Sequence, residues 1–362
     1  MVMGKKIVVG VLALVIIVLA IVLVRTKSIP KASHVATGAE VGAELVDIDA
    51  QRLAGHLSKA VQFKTVTQQN SADTDWQIFL DFQIWLKETY PHFYGVVKSE
   101  QVNTYAQLNT WQGSDSALAP IVFLAHQDVV PASEEAGSGW DVPPFEGRLQ
   151  DGFIYGRGTI DDKGSLIAIL EAADRLAADG FTPKRTLIFS FGHDEEVLGS
   201  GAKAAAKLLE ARGIKPYAVI DEGGAITTGM SDVAGPVARI GVAEKGYLTL
   251  VLTAKARGGH SSTPPTYTSI GALSRAIAAI EANPFEQGLD DVSKAMLRAT
   301  APEQDFKGRM AIANLWLMSG VIESKMAAAA SGRAMLGTTI APTIIEGGFK
   351  ENALPRTATA YV

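Results

Sequence analysis

The chain has 362 residues, of which 47% are hydrophobic and 20% charged, so it can bury a large core and is not expected to be disordered. At about 150 residues per domain, this length predicts two or three domains. The net charge is −5, from 33 basic and 38 acidic residues, which argues against a nucleic-acid surface. The absence of cysteine excludes disulfides, thiolate metal sites and cysteine nucleophiles.

The first predicted element is an apolar run from Ile7 to Val24, preceded by Lys5 and Lys6. A helix of this length would measure roughly 27 Å, close to the hydrocarbon thickness of a bilayer. A cleaved signal peptide usually has a shorter apolar region followed by small residues, whereas basic residues follow this run directly. We therefore predict an uncleaved signal anchor over residues 1–27, with a cleaved signal as the alternative. A single-pass N-terminal anchor places the remaining chain outside the cytoplasm, in a lumenal, vacuolar or extracellular space.

Residues 28–44 lack periodicity and contain proline, glycine, alanine and serine, which predicts a linker. Apolar residues at helical spacing then predict helices at about 48–63 and 74–90, and further on at 165–178 and 201–212. Short apolar strands are predicted at 121–125, 186–191 and 217–220. Apolar strands that alternate with helices indicate a mostly parallel sheet covered on both faces. We assign residues 45–237 to this α/β domain, which would carry the first part of a catalytic site.

The sequence pattern changes near Ala238. Residues 246–256 alternate as an antiparallel strand does, a helix is predicted near 269–282, and strand-like segments follow at 309–317 and 357–362. We interpret residues 238–362 as a second, smaller α+β domain. It ends on a strand-like segment without a closing turn, which indicates an incomplete domain.

Acidic residues and histidine follow each predicted strand of the first domain. The clusters are His126-Gln127-Asp128, Asp194-Glu195-Glu196 and Asp221-Glu222, and a fourth pair, Asp161-Asp162, opens a helix. Each cluster alone has an ordinary alternative, such as a helix cap, a solvated helix start or a loop. Ligands of α/β sheets bind beyond the carboxyl ends of the strands, where these clusters would meet. The carboxylates of these clusters would repel one another if no cation were bound between them. Proteins usually relieve such repulsion by binding one or two divalent cations.

These clusters and their surroundings resemble the M20 metallopeptidases, most closely the carboxypeptidase S and N-acyl-amino-acid hydrolase branch. The resemblance extends from about residue 45 to the end of the chain. It is carried by His126–Pro131, Trp140–Gly147, Ile154–Gly158, Asp161–Gly164, Asp194–Glu196, Asp221–Gly224 and Gly258–Ser262. It implies a Zn-exopeptidase-like catalytic domain with an inserted, ferredoxin-like α+β domain that serves as lid and dimerisation domain.

The resemblance also implies a set of metal ligands. His126 and Asp221 would hold one metal ion, Glu196 would hold a second, and Asp161 would bridge both. Imidazole and carboxylate ligands suit Zn²⁺, with Mn²⁺ or Co²⁺ as substitutes.

Three further residues take catalytic roles in this family. Asp128 would hydrogen-bond the ring of His126 and fix its tautomer. Glu195 would be the general base that acts on the water between the metals. His260 would stabilise the oxyanion of the tetrahedral intermediate. In dimeric members this histidine acts in the site of the partner subunit, so a homodimer is expected.

The family pattern also includes residues that this sequence lacks. A further histidine ligand and a carboxylate-binding arginine are expected late in the chain, and none of the six histidines follows His260. We interpret the sequence as C-terminally truncated, with a shortened, inactive relative as the alternative. On either interpretation, the chain as given is expected to hold a weakened second metal, and its activity is uncertain.

The predicted function is hydrolysis of an amide or peptide bond next to a free carboxylate. Substrates would be peptides or N-acyl amino acids, as for a carboxypeptidase or an N-acyl-amino-acid amidohydrolase. The alternative is a membrane-anchored, catalytically inactive relative that binds metal or peptide. A two-metal phosphoesterase is disfavoured, because no basic or glycine-rich phosphate cradle is evident.

Overall fold

The computed structural model of the chain describes residues 2–30, 47–135, 137–228 and 236–362. Most of the predicted linker, residues 31–44, therefore lies outside the described residues. The chain divides into two compact units. One unit is Glu44–Gly223, and the other combines Met1–Ala43 with Gly224–Val362.

The predicted apolar helix is present as α1 (Val2–Lys27). Its segment Ile7–Lys27 is long enough to cross a membrane, has a mean hydropathy of 3.7 and packs against little of the protein. At 1.5 Å per residue, 21 residues span about 32 Å, which matches the apolar thickness of a bilayer. Both a membrane anchor and a signal peptide have these properties.

The unit Glu44–Gly223 contains a five-stranded sheet with helices on both faces. Its helices are α2 (Ala50–Val61), α3 (Trp76–Thr89), α4 (Pro91–Val96), α5 (Lys163–Ala178) and α6 (Ser200–Ala211). Its strands are β1 (Lys98–Val102), β2 (Ala106–Trp111), β3 (Ile121–His126), β4 (Arg148–Gln150), β5 (Phe153–Tyr155), β6 (Leu187–Gly192) and β7 (Ala218–Ile220). The sheet order is β1-β2-β6-β3-β7, and β4 and β5 form a separate hairpin.

The predicted parallel strands are confirmed, because β3 pairs in parallel with both β6 and β7. The hairpin β1–β2, which was not predicted, extends the sheet antiparallel to β6. Strand β2 escaped prediction because it buries polar side chains, including Gln107 and Asn109, and so lacks an apolar signature.

Helical spacing correctly predicts the core on one face of the sheet. Phe79, Phe82, Leu86 and Tyr90 recur along α3 and its end, and each is almost completely buried. Burial of one such side chain contributes about 1.5–3 kcal/mol. Helix α5 completes this core, and α6 packs on the opposite face of the sheet through Ala205. The two layers hold the strand ends rigidly where the functional residues begin.

The second unit combines small sheets with a group of helices. Its strands are β8 (Ala225–Thr227), β9 (Val237–Arg239), β10 (Val251–Lys255), β11 (Gly259–His260), β12 (Ile344–Gly347), β13 (Ala353–Leu354) and β14 (Thr357–Tyr361). Its further helices are α7 (Ser269–Ala282), α8 (Asp291–Thr300), α9 (Phe306–Ala313), α10 (Leu315–Ala327) and α11 (Ala330–Leu336). Helix α7 covers the antiparallel sheet β10-β14-β12 by packing Leu273 against Ala358 and Ala360. The predicted helix at 269–282 and the strand at 357–362 are confirmed.

The strand-like prediction for residues 309–317 is wrong, because this segment forms most of α9 and the start of α10. The alternation of Met310, Ala311, Ile312 and Ala313 resembles a strand, but alanine and methionine are strong helix formers. The Asp305 side chain also caps α9 by accepting a hydrogen bond of 2.7 Å from the backbone N–H of Gly308.

Candidate functional site

The functional residues of the first unit lie at the carboxyl ends of neighbouring strands. His126 ends β3, and the parallel register places it beside Gly192, the last residue of β6. Glu195 and Glu196 follow in a short 3₁₀ turn just beyond β6. Asp161 lies in the turn that opens α5, and Glu222 follows β7. The topology thus brings together groups that are up to about 100 residues apart in sequence.

The His126 imidazole is 3% exposed and has acidic partners on both ring nitrogens. Nδ1 lies 2.9 Å from the backbone carbonyl of Asp128 and 3.2 Å from its carboxylate Oδ1. Nε2 lies 3.0 Å from Asp161 Oδ1 and 3.4 Å from Glu222 Oε1. The Asp128 side fixes the orientation of the ring, which leaves Nε2 directed at the other carboxylates.

Asp128 connects the histidine to the acidic turn. Its carboxylate is fully buried and accepts hydrogen bonds from the Thr67 hydroxyl at 2.9 Å, from Glu195 N–H at 3.0 Å and from Glu196 N–H at 3.1 Å. Burial alone would raise the pKa of Asp128, but the His126 ring and these donors hold it below its usual range. One charged carboxylate therefore positions both the imidazole and the backbone that carries the two glutamates.

Gln127, which lies between His126 and Asp128, connects the strand ends through hydrogen bonds. Its side-chain amide donates to the carbonyls of Phe191 at 3.0 Å and Tyr105 at 3.2 Å, while its oxygen accepts from Gln83 at 2.9 Å. These bonds join the end of β6, the β1–β2 connection and α3. Every polar atom of this fully buried side chain is thereby satisfied.

The turn that carries Asp161 is anchored by its neighbours. The ammonium of Lys163 is fully buried and donates to the carbonyls of Ala60 at 3.0 Å and Phe63 at 2.6 Å, at the end of α2. Gly158 precedes the turn with φ +85°, and a Cβ there would lie 2.7 Å from Val129 Cγ1. Only glycine adopts this conformation in that space without strain.

The acidic groups around His126 are buried and repel one another, and both effects raise the pKa of several of them. Burial, followed by neighbouring charges, raises the pKa of Glu195, Glu196 and Asp162. Burial and the Asp162 charge raise the pKa of Glu222 to about 7. Burial would lower the pKa of His126, but Asp128 and the other carboxylates raise it to about 10. The carboxylates around His126 therefore favour bound positive charge.

The donor atoms fit a metal ion. His126, Asp161 and Glu196 each offer one donor atom, and these atoms lie within 4.8 Å of one another. His126, Glu195 and Glu222 form a second group that meets the same distance. One imidazole nitrogen with several carboxylate oxygens is a ligand set that suits zinc and other divalent cations.

The structure brings together His126, Asp128, Asp161, Glu195 and Glu196, all of which the sequence singles out. Asp221 differs: its exposed carboxylate accepts a hydrogen bond of 2.9 Å from the Glu222 N–H, and it belongs to neither donor group among the described residues. The neighbouring Glu222 faces His126 instead. The sequence prediction of Asp221 as a ligand therefore stays a prediction, and Glu222 is a second candidate at the same strand end.

His260 lies in the other unit, at the end of the two-residue strand β11, where it pairs with Ala353 of β13. Its Nδ1 accepts a hydrogen bond of 3.2 Å from the Ser262 N–H and lies 2.8 Å from the Ser262 hydroxyl. With Nδ1 as an acceptor, a neutral ring carries its proton on the exposed Nε2. The imidazole is thus arranged as a donor to a partner outside its own loop.

An α/β sheet with a histidine and carboxylates converging on its strand ends defines a metallohydrolase-type site. A family model for Peptidase family M20/M25/M40 matches residues 122–318, and the chain belongs to this family. The predicted resemblance is thereby confirmed. The family consists of metal-dependent hydrolases, and the chain is accordingly an enzyme homologue of peptidase and amidohydrolase type.

Two curated relatives illustrate the branch. The N-fatty-acyl-amino acid synthase/hydrolase PM20D1 of Xenopus tropicalis is 35% identical over 96% of this chain and 68% of its own length. Carboxypeptidase S of Saccharomyces cerevisiae is 37% identical over 83% of this chain and 55% of its own length. This chain is similar to both, and it spans between about half and two thirds of their lengths.

A solved structure supports the fold. An M20 family metallo-carboxypeptidase, Sso-CP2 from Sulfolobus solfataricus, superimposes with a TM-score of 0.55 at 17% identity. The match covers 87% of this chain and 70% of that protein. The predicted α/β fold with an additional α+β region is thereby confirmed.

Proposed function

We propose that the chain carries the site of a zinc-dependent hydrolase that cleaves an amide or peptide bond next to a free carboxylate. The observation that carries the proposal is that His126 belongs to two groups of possible ligands, one with Asp161 and Glu196 and one with Glu195 and Glu222, whose donor atoms lie within 4.8 Å of one another in each group. The names of the two relatives supply the substrate classes: an N-acyl amino acid or the carboxyl end of a peptide.

In this proposal two metal ions share the site. His126 and Glu222 would hold one ion, Glu196 would hold the other, and Asp161 would contribute to both. Glu222 takes the position expected for Asp221, because Glu222 Oε1 lies 3.4 Å from His126 Nε2, while no ion pair between Asp221 and this ring is found among the described residues. When bound, a divalent cation supplies Lewis acidity to the attacking water and to the amide carbonyl.

Glu195 is the proposed general base. Its backbone is held by Asp128, and burial raises the pKa of its carboxyl, which makes the carboxylate a stronger proton acceptor. Glu195 takes a proton from the attacking water and returns it to the leaving amine. Asp128 keeps the charge and tautomer of His126 constant while this proton moves.

His260, the membrane anchor and the homodimer complete the proposal. The exposed Nε2–H of His260 suits a donor to the developing oxyanion. Helix α1 would hold the catalytic unit on the outer side of a membrane. We propose the homodimer because the family resemblance assigns the role of His260 to the site of a partner subunit.

The test is hydrolysis by the purified, zinc-loaded protein. An N-acyl amino acid and a C-terminal dipeptide are compared with the same compounds carrying a carboxamide in place of the free carboxylate. We expect slow hydrolysis of the free acids, because the second metal is held weakly without the late histidine expected from the family resemblance, and still slower hydrolysis of the carboxamides. Equal rates would contradict the requirement for a free carboxylate.

Glu195→Gln separates catalysis from metal binding. It should lower kcat about 10²- to 10⁴-fold with little change in zinc affinity. Glu88→Gln, at an exposed position in α3, is the matched control and should retain full activity. Zinc binding without any hydrolysis would instead support a catalytically inactive metal-binding or peptide-binding relative.

A further inference from the structure

The carboxyl end of α1 docks on α9 within the same unit. Val22 and Thr26 are buried there, although most of the apolar helix is exposed. The side-chain amide of Asn314 lies between the two helices and donates to the Val22 carbonyl at 3.3 Å, and Arg25 Nε donates to the Ala313 carbonyl at 3.2 Å. Helix α9 is therefore fixed against α1 at the residues where the candidate membrane span ends.

A pocket opens beside this junction. It has a volume of about 310 Å³ and is lined by Arg25, Ser28, Ile29, Arg298, Ile312 and Ala313. Two arginines from different helices line it, together with a serine and apolar residues. Among the described residues, no carboxylate forms an ion pair with Arg25 or Arg298. Two arginines beside an apolar wall form a receptor for an anion attached to an apolar group.

Aromatic and apolar side chains are exposed at the same level. Trp316 is 53% exposed, and its indole N–H donates to the Asn314 side chain at 3.3 Å. Asn314 thus holds both the end of α1 and this indole. Leu317 and Val321 on the same helix are also more than half exposed. Tryptophan next to the basic end of a membrane span is the usual composition of a membrane interface.

We propose that α9 and α10 lie on the membrane surface and that the Arg25–Arg298 pocket binds the phosphate of an anionic lipid headgroup. The inference rests on the part of the proposed function in which α1 is retained as an anchor. The position of the pocket selects a lipid over a free phosphate, because Arg25 immediately follows the apolar span that would be embedded in the bilayer. Bound lipid would hold the unit containing His260 in a fixed orientation on the membrane.

The first experiment measures the position of Trp316. The full chain is placed in phosphatidylcholine nanodiscs with or without bromine on the lipid chains, and its mass is measured to establish that α1 is retained. We expect brominated lipid to quench part of the tryptophan fluorescence, and we expect Trp316→Phe to abolish that part. The other four tryptophans lie in the catalytic unit and are present in both proteins, so the difference in quenching between wild type and variant reports Trp316. Equal quenching in wild type and variant, with α1 retained, would overturn the surface placement.

The second experiment measures headgroup binding. Phosphatidylglycerol is titrated into the detergent-solubilised chain, and retained lipid is counted by native mass spectrometry. We expect Arg298→Gln and Arg25→Gln each to weaken binding about five-fold, while Arg275→Gln, at an exposed position in α7, has no effect. Equal losses at Arg275 would reduce the effect to general charge attraction and overturn the pocket. Equally tight binding of glycerol 3-phosphate would show a free phosphate site and overturn the lipid assignment. Neither result depends on hydrolysis, so the outcome is separate from that of the catalytic proposal.

Discussion

Replacement of Asp128 by asparagine tests the proposed link between the histidine and the acidic turn. Each oxygen of the carboxylate accepts from two groups: Oδ1 from His126 and Glu195 N–H, and Oδ2 from the Thr67 hydroxyl and Glu196 N–H. Asparagine keeps only one oxygen. Its NH₂ group is accommodated best toward Thr67, because the hydroxyl can reverse and accept. Even then the Glu196 N–H loses its acceptor and faces another donor.

The loss of one hydrogen bond to a charged group costs about 1.5–3 kcal/mol. If that cost falls on the metal-bound geometry, zinc affinity should decrease about 10- to 100-fold, which is the usual effect of losing a partner of a metal ligand. Thr67→Val is the matched control. It removes a single hydrogen bond from the same carboxylate and should cost no more than about 1.5 kcal/mol, or about tenfold in affinity.

The assay is competition for zinc against a chromophoric chelator at pH 8, with circular dichroism to establish that each variant is folded. The predicted order of affinity is wild type, then Thr67→Val, then Asp128→Asn. A folded Asp128→Asn protein with wild-type affinity would refute the positioning role. So would a Thr67→Val protein that loses as much affinity as Asp128→Asn.

Three further predictions concern the ligands and their support. In the same competition assay, Glu222→Gln should weaken zinc binding by more than about tenfold, whereas Asp221→Asn should leave it unchanged. The reverse result would support Asp221 as the ligand, as the sequence predicts. Zinc affinity should fall from pH 8 to pH 6, because burial and neighbouring carboxylates raise the pKa of Glu222 to about 7 and protons then compete with the ion; a flat profile would contradict this. Lys163→Met should reduce the free energy of unfolding in urea at pH 9 by about 1–3 kcal/mol, since the Ala60 and Phe63 carbonyls lose their donor. Burial lowers the pKa of Lys163 from 10.5 to about 7, so the unfolded chain binds more protons than the folded chain between these pH values. The free energy of unfolding of the wild type should therefore include a contribution from Lys163 that rises from pH 7 to pH 10. This contribution should be missing in the variant.

The sequence predicts the parts of the fold that depend on apolar periodicity. The strands β3, β6 and β7 and the helices α3, α5 and α7 have continuous apolar runs or helical stripes, and each was placed within a few residues. The strand ends then indicate where polar groups must meet. His126 and Glu196 could be located at one edge of the sheet because parallel strands direct their carboxyl ends there, whereas Asp161 and the ligand roles were implied by the family resemblance.

Features that depend on tertiary contacts could not be predicted. The buried Lys163 reads in sequence as an exposed residue at a helix start, and its burial depends on two carbonyls about 100 residues away. That Glu222 faces His126 while Asp221 accepts from the Glu222 N–H depends on the backbone after β7, which the sequence does not specify. Helix α9 was interpreted as a strand because its alternating small and large residues fit both patterns.

The central claim is that the strand ends around His126 bind zinc, and anomalous X-ray scattering tests it most directly. Crystals of the protein soaked in zinc are measured on either side of the zinc absorption edge. We predict an anomalous peak about 2.0–2.2 Å from His126 Nε2, in contact with carboxylate oxygens of Asp161 and Glu222. An occupied zinc position elsewhere, with no anomalous density beside His126, would contradict the account.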